Sequence, residues 1–576
     1  MKTSIRVLKF AFATIVLSAL YTNCSEFKVL KSTDLSSNET NSFTSLKCAN
    51  PESVGATELR RLSKSELSNT LNELLGAPLA ANLQPILSRL PSDKPNADAF
   101  ENSYSDLHVS AFSDLAFNAA NLVTGASLNG FLARHTACSS AASLTSPCVD
   151  SFIAKFGLRI LRRPLSSSEA TMFRSLYDSG STPQEGLQIV LMTMFQSPQF
   201  LHHVEIGTEA TGSDTEFEVT PYEVASRIPY ALWDSMPSDA LFAAAAAGDL
   251  QDSARLDAIV SGMIDDPRTK DKLKGFFAYW LNTSALSNPS TNADFLNGLD
   301  TTGLVPEMKR EMDQYIDHVI WQKRQGYEEL MTSKTSFART PALAEIYEHT
   351  LAANPDDGSQ TMGGPRKGLL LRAPLLFASD DETHPILRGA TLRKRILCDQ
   401  MGLPSNDAFG VRLDVDTVEF ITEHTLRERI TEKTSGGSCA GCHSMINPIG
   451  FVLEGYDALG RRRSTEKAYD STEQLIAEHR IDSSVTNLRI DSDGPSAASS
   501  GEELVDIIAN SDKGSACFAR QTFRYFNFRS EDITQDGCSL KGIRDSIVGQ
   551  NGSITEGLKR TVMNRALNKK IVKGAP

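Results

Sequence analysis

Apolar residues recur at helical spacing along most of this chain, and the polar residues just ahead of them stand in the order that starts a helix. Ser63-Lys64-Ser65-Glu66 precedes Leu67, Leu71, Leu74 and Leu75, with Gly76 as the stop. In such a capping box the first side chain accepts from a backbone N–H and the acid three residues later reaches back. Ser166-Ser167-Ser168-Glu169 follows the turn-forming Arg162-Arg163-Pro164, and Ser500-Gly501-Glu502-Glu503 opens Leu504, Val505, Ile507 and Ile508. Thr182-Pro183-Gln184-Glu185 and Thr220-Pro221-Tyr222-Glu223 add proline at the first helical position, where its missing N–H costs nothing. Sustained period-two alternation is scarce, so the pattern predicts a mainly α-helical protein built of several helical domains. Trp233 and Trp280 sit in amphipathic surroundings and are expected in the core. Breaks rich in Gly, Ser, Asp and Pro fall near 95–105, 207–219, 352–365 and 481–500 and are the candidate domain boundaries.

The N-terminus departs from this pattern. Lys2, Arg6 and Lys9 precede an apolar run from Phe10 to Tyr21 that is shorter than the roughly 20 residues a bilayer span needs, so residues 1–23 read as a signal peptide. Cys24 directly after it resembles a bacterial lipoprotein cleavage site, although Tyr21-Thr22-Asn23 replaces the usual approach. The polar stretch that follows suits a flexible tether over residues 24–56. The expectation is an exported chain, held to a membrane by lipid on Cys24. Ser25 after that site favours the outer membrane, with the protein facing the periplasm or the cell surface. With 576 residues, 40% hydrophobic and 22% charged, the rest is long enough for several cores and ordinary in composition. A net charge of −13 without a long basic run opposes binding to phosphate backbones, so nucleic acid is not expected as a partner.

Nine cysteines remain to be placed: Cys24, Cys48, Cys138, Cys148, Cys398, Cys439, Cys442, Cys517 and Cys538. Export permits disulfides. Cys439-Ala440-Gly441-Cys442-His443 is the one Cys-x-x-Cys-His in the chain. Covalent haem c needs two thiols for the two vinyl groups of a porphyrin and an adjacent histidine for the iron, and this pentapeptide supplies all three in order. A zinc corner wants a second ligand pair at similar spacing, and a thioredoxin-like pair wants a βαβ context; neither accompanies the motif. The expected cofactor is one covalent haem c on Cys439 and Cys442, with His443 as proximal ligand. His384, Met401 and His424 are the distal candidates, and a five-coordinate iron remains open. Setting aside Cys24, Cys439 and Cys442 leaves six cysteines with 15 possible pairings. Cys138 with Cys148 and Cys517 with Cys538 close short loops, leaving Cys48 with Cys398. No catalytic hydrolase motif or nucleotide-binding loop is present to suggest other chemistry.

The residues around the motif resemble a known family. Cys439 to Arg463, "CAGCHSMINPIGFVLEGYDALGRRR", is similar to the signature of the planctomycete-type cytochrome c-associated multidomain proteins, a series of domains of unknown function numbered 1587, 1595, 1592, 1588 and 1585 in chain order. Leu59 to Gly76 resembles the first, "FGLRILRRPLSSSEA" with "SPQFLHHVE" the second, and Pro221 to Leu250 the third. "RKGLLLRAPLLFAS" and "THPILRGATLRKRILC" lead into the haem motif as in the fourth, and "CFARQTFRYFNFR" resembles the fifth. The resemblance implies helical domains at 57–135, 138–206 and 220–350, a cytochrome c-like haem-binding segment at 363–465, and a C-terminal helical domain at 497–570. Asn447 stands where Asp usually precedes the proline, His384 where Ser is common, and Glu432-Lys433-Thr434 where a His-Arg pair often precedes the first cysteine. Gly436, Gly437, Gly441 and Gly450 are expected in turns or close to the porphyrin. Glu454, Asp457 and Arg461 to Arg463 are candidates to pair with haem propionates or with one another, and at least two of the three arginines are expected on a solvated charged face. The family implies haem binding in the envelope without naming a reaction. Three functions follow: electron transfer to an unidentified redox partner, a haem-dependent oxidoreductase acting on a small molecule or polymer, or a scaffold with structural haem.

Overall fold

The five helix starts form as their side chains dictate. In a computed structural model that describes residues 46–91, 93, 104–136, 144–209, 216–351, 358–401, 416–436, 439–470, 472–491 and 496–571, Ser63, Ser166, Thr182, Thr220 and Ser500 each accept from the backbone N–H three residues on. Glu66, Glu169 and Glu223 return to the cap's own N–H, whereas Glu185 and Glu503 accept instead from Ser181 and Ser499, one residue earlier. Both variants satisfy orphan donors at the helix start.

The protein is mainly α-helical with small sheets. Five helices, α1 (Lys64–Leu75), α2 (Asp106–Thr124), α3 (Ser146–Leu161), α4 (Ser167–Asp178) and α5 (Pro183–Phe195), enclose one apolar core around Leu71, Leu115, Phe152, Phe156 and Val190. Then come α6 (Pro221–Trp233), α7 (Pro267–Trp280), α8 (Leu304–Asp317), α9 (Pro385–Thr391), α10 (Val418–Glu423), α11 (Leu426–Thr434), α12 (Cys439–Val452), α13 (Gly501–Ala509), α14 (Asp512–Asn527), α15 (Gly537–Ile547) and α16 (Ile554–Val562). Residues from these segments share a second core, which takes in Ile228, Trp280, Ile449, Phe518 and Leu558. Trp233 and Trp280 are both buried, as expected. β1 (Thr208–Glu209) and β7 (Lys569–Ile571) flank β2 (Glu216–Glu218) in an antiparallel sheet, so the chain's last strand returns to the start of its central part. β3 (Thr335–Ser336) pairs with β4 (Gln360–Thr361), and β5 (Thr465–Tyr469) with β6 (Leu475–Arg480). Among the described residues no helix is long and apolar enough to cross a membrane.

Buried arginines fasten the segment before α12. Arg388 donates to the carbonyls of Tyr456 at 2.9 Å, Asp457 at 2.6 Å and Leu376, and burial pulls its guanidinium down to about 10. Arg393 donates through Nε to the Met445 carbonyl at 3.0 Å, tying α12 to the preceding π-helical turn. Arg372 pairs with Glu311, both fully buried, and lies 3.3 Å from the centroid of Tyr315. These guanidiniums satisfy carbonyls that loops would otherwise leave unpaired in the core.

The cysteine pairing differs from the short-loop expectation. Cys48 bonds Cys538 and Cys398 bonds Cys517, in place of Cys517 with Cys538 and Cys48 with Cys398. The physical reason is the hairpin of α14 and α15. Asp512 at the start of α14 pairs with Arg544 near the end of α15, so the helices run antiparallel. Cys538 therefore lies beside the end of α14, about 15 Å along the axis from Cys517. Cys148 is in a disulfide; Cys138 lies outside the described residues, as does Cys24. Residues 46–55, read as tether from their polarity, pack on the same hairpin. Leu46 joins Ala519 and Phe523 in a small core, and the Gly55 N–H donates to Asp536 at 2.9 Å.

Candidate functional site

The Cys-x-x-Cys-His motif forms the first turn of α12. Cys439 is half-buried, Cys442 is exposed, and both carry free thiols, while Cys48, Cys148, Cys398, Cys517 and Cys538 are in disulfides. The helix is amphipathic in an unusual sense. Ile446, Ile449, Gly450, Val452 and Leu453 turn inward, whereas Ala440, His443, Ser444, Asn447, Pro448 and Phe451, spaced three and four apart, line an open cavity of about 900 Å³. Gly450 serves packing rather than cofactor approach. A Cβ there would stand 2.0 Å from the Pro385 carbonyl, and one on Gly389 of α9 would stand 2.2 Å from that of Ile446. Gly436 and Gly441 have open space around them, and Gly437 lies outside the described residues.

His443 has its ring orientation set by neighbours. Its Nδ1 lies 2.9 Å from Oδ1 of Asn447, and Asn447 Nδ2 donates to Thr434 Oγ1 at 2.9 Å. The Thr434 hydroxyl spends its own proton on the Ile430 carbonyl at 2.7 Å, so its oxygen is free to accept. That chain orients the amide with oxygen towards the imidazole. An amide oxygen only accepts, which puts the proton on Nδ1 and the lone pair on Nε2. A neutral histidine with its other nitrogen hydrogen-bonded is the form that ligates iron. Two unbonded thiols on the same turn and this tautomer fit a covalently held haem; His443 also lines the cavity, with its apolar wall of Pro448, Phe451, Ile481 and Val485, whereas Cys439 and Cys442 lie outside that lining. Cys439, Cys442 and His443 are the residues that would hold it.

The rest of the cavity comes from α11, which supplies Arg427, Glu428, Thr431 and Glu432, and from β5, β6 and the loop after them. Arg427 donates to the carbonyls of Asp482 at 2.6 Å and Ser484 at 2.9 Å and lies 5.3 Å from the centroid of Phe451; Arg480 is exposed at the rim. These two are the arginines that reach the cavity. Arg461 pairs with Asp457, Arg462 with Glu348 and Arg463 with Glu454, so the Arg461 to Arg463 run serves the fold. Only Glu454 of that group lines the cavity, joined there by Glu466. The roles of Arg427, Arg480 and Glu466 were not read from the sequence, where they are ordinary charges on a helix and two strands. The distal candidates are not brought to the cavity wall. His384 is half-buried and bonded to Asp380 at 3.0 Å, His424 packs against Phe420 with tilted rings whose centroids are 4.5 Å apart, and Met401 is half-buried elsewhere. Among the described residues no group of three or more His, Cys, Asp or Glu is placed to hold a metal ion.

Four family models match successive stretches of the chain. Residues 60–124 match PSD3, a protein of unknown function (DUF1587), and 148–205 match PSD5 (DUF1595). Residues 219–348 match PSD4 (DUF1592), and 366–466, which contain the Cys-x-x-Cys-His turn, match PSCyt3 (DUF1588). Together these matches take in more than half of the residues. No curated protein and no solved structure matches the chain.

Proposed function

From the premise that this chain belongs to the planctomycete cytochrome c-associated PSD/PSCyt families, we propose that it is an exported haem c-binding lipoprotein that transfers electrons in the cell envelope. One observation carries the reading: the two cysteines of the motif are the free thiols among the described residues, on the same helical turn as an imidazole whose Nε2 lone pair is directed by Asn447 and Thr434. Haem supplies one-electron chemistry. The chain's part is to grip the porphyrin through Cys439 and Cys442, hold the iron on His443, and present the edge near exposed Cys442 to a redox partner. The leader, lipid on Cys24 and an outer-membrane position are part of the same proposal and rest on the pattern of residues 1–25.

The experiment is expression in a host with cytochrome c maturation, followed by a pyridine haemochrome spectrum and mass analysis of the peptide spanning 439–443. One porphyrin on that peptide, lost in the Cys439→Ser, Cys442→Ser protein, is the expected result. A colourless product with the two sulfurs free or joined to each other would rule the function out. A second reading, a haem-dependent oxidoreductase on a small molecule, is favoured by the size and openness of the cavity. A carbon monoxide difference spectrum separates the two, because an iron with both axial positions filled by protein does not respond.

A further inference from the structure

Lys272 is the one buried lysine among the described residues, its side chain 4% exposed. It reaches from α7 to the end of α6, where Nζ contacts Oδ1 of Asp234. Its other close neighbours are ring faces, Phe528 with its centroid at 4.5 Å and Tyr525 at 5.1 Å. An ammonium carries three N–H donors, and Asp234 supplies the one oxygen that this group meets among the described residues. A buried charge so sparsely bonded is costly, and aromatic faces offset only part of that cost.

The surrounding main chain holds amine and carboxyl in place. Asp234 ends α6 in the left-handed region, at φ 51° and ψ 34°, and its carbonyl accepts from Asn69 Nδ2 at 3.1 Å. Next to it, Trp233 donates to Thr269 Oγ1 at 3.1 Å, and the Arg268 guanidinium lies 3.6 Å from the Trp233 centroid. The end of α6 is thereby fastened to the start of α7. Burial raises the Asp234 carboxyl, and the charge of Glu66 adds to this, against Lys272 and Arg60. A carboxyl that resists ionisation leaves the neighbouring amine its lone pair, which is the nucleophilic form of lysine. The Asp234 side chain is 21% exposed, so a small molecule released there has a way out.

We propose that Lys272 and Asp234 close an intramolecular amide, a covalent modification that ties α6 to α7. The ammonium passes a proton to the carboxylate, and the neutral Nζ attacks Cγ. The Nζ–Cγ bond forms, a Cγ–O bond breaks with its electron pair staying on oxygen, and that oxygen departs as water with two of the three Nζ protons. No oxidant, reductant or activating group is consumed. Two buried charges become a neutral amide whose single N–H needs one acceptor. Fixed contact stands in for chemical activation, since well-oriented intramolecular reactions reach effective concentrations of about 10⁵–10⁸ M. The link spans 38 residues and owes nothing to haem.

The test is tryptic peptide mass analysis of the full-length protein, purified with and without haem. Cleavage frees residues 228–255, which contain Asp234, and residues 271–274, which contain Lys272. The wild type should yield a branched peptide of these two, lighter than their sum by one water, with no cleavage after Lys272. Lys272→Arg keeps a cation beside Asp234 but has no attacking amine, and Asp234→Ala has no acyl group; both should give unbranched peptides. The wild-type map decides even where a variant does not fold. Cleavage after Lys272 in folded wild type, with both peptides at their linear masses, overturns the proposal and leaves an ion pair. The branched peptide is expected equally in haem-free protein, so its absence and the absence of porphyrin are separate failures.

Discussion

Asn447 acts on two side chains at once. Its amide nitrogen is anchored by Thr434 and its oxygen receives the Nδ1 proton of His443, one turn earlier on the same helix. The i, i+4 spacing makes the second contact readable in advance; the first depends on Thr434 arriving from α11. Asn447→Leu removes both bonds while keeping the branched outline of the side chain. The expected consequence is a loss of roughly 10–100-fold in the strength with which His443 holds the iron. Resonance Raman intensity of the iron–imidazole stretch in haem-loaded protein, compared with Asn447→Asp, which keeps an acceptor, measures it. The buried arginines show the converse. Arg388 and Arg393 look like surface charges in "THPILRGATLRKRILC", yet each is spent on backbone carbonyls of the helix and turn that carry the motif. Nothing local marks them, because the carbonyls they meet on that helix and turn lie 52 or more residues away in the chain.

Elements are held in place around the site by close backbone contact. α9 and α12 touch through Gly389 and Gly450, each of which lies against a carbonyl of the other helix. The inward face of α12 thereby lies in the larger core while its other face lines the cavity. Gly450→Val is expected to push the helices apart and to cost about 1–3 kcal/mol by overpacking, with a matching cost for Gly389→Val. Urea unfolding of the two single variants and the double variant checks this. Because the glycines lie in one contact, the double should cost less than the sum. The helix starts themselves were legible, since a cap is decided by residues within one turn, although Glu185 and Glu503 reach one residue further back than the cap. Gly450 was legible only as a glycine near the motif, and the partner that requires it comes from 65 residues earlier in the chain, as the Pro385 contact shows.

At the scale of the molecule, the chain closes on itself. β7 pairs with β2, the Thr57 N–H donates to the Ile571 carbonyl at 3.0 Å, and Cys48 bonds Cys538 across 490 residues. A cross-link enclosing so much chain restricts the unfolded state strongly. Replacing Cys48 and Cys538 by Ser should therefore cost about 2–5 kcal/mol, seen by calorimetry as an earlier onset of unfolding. A variant lacking Cys398 and Cys517, whose bond spans 119 residues, should instead loosen the segment before α12 from α14. What the sequence alone determined was chemistry confined to a few consecutive residues: the capped helices and the Cys-x-x-Cys-His turn. Backbone periodicity places such residues together whatever the remainder of the chain does. Which cysteines meet, and which arginines and carboxylates line the cavity, were decided only by tertiary packing. Each of those contacts joins segments whose approach depends on burying the apolar faces of many helices at once.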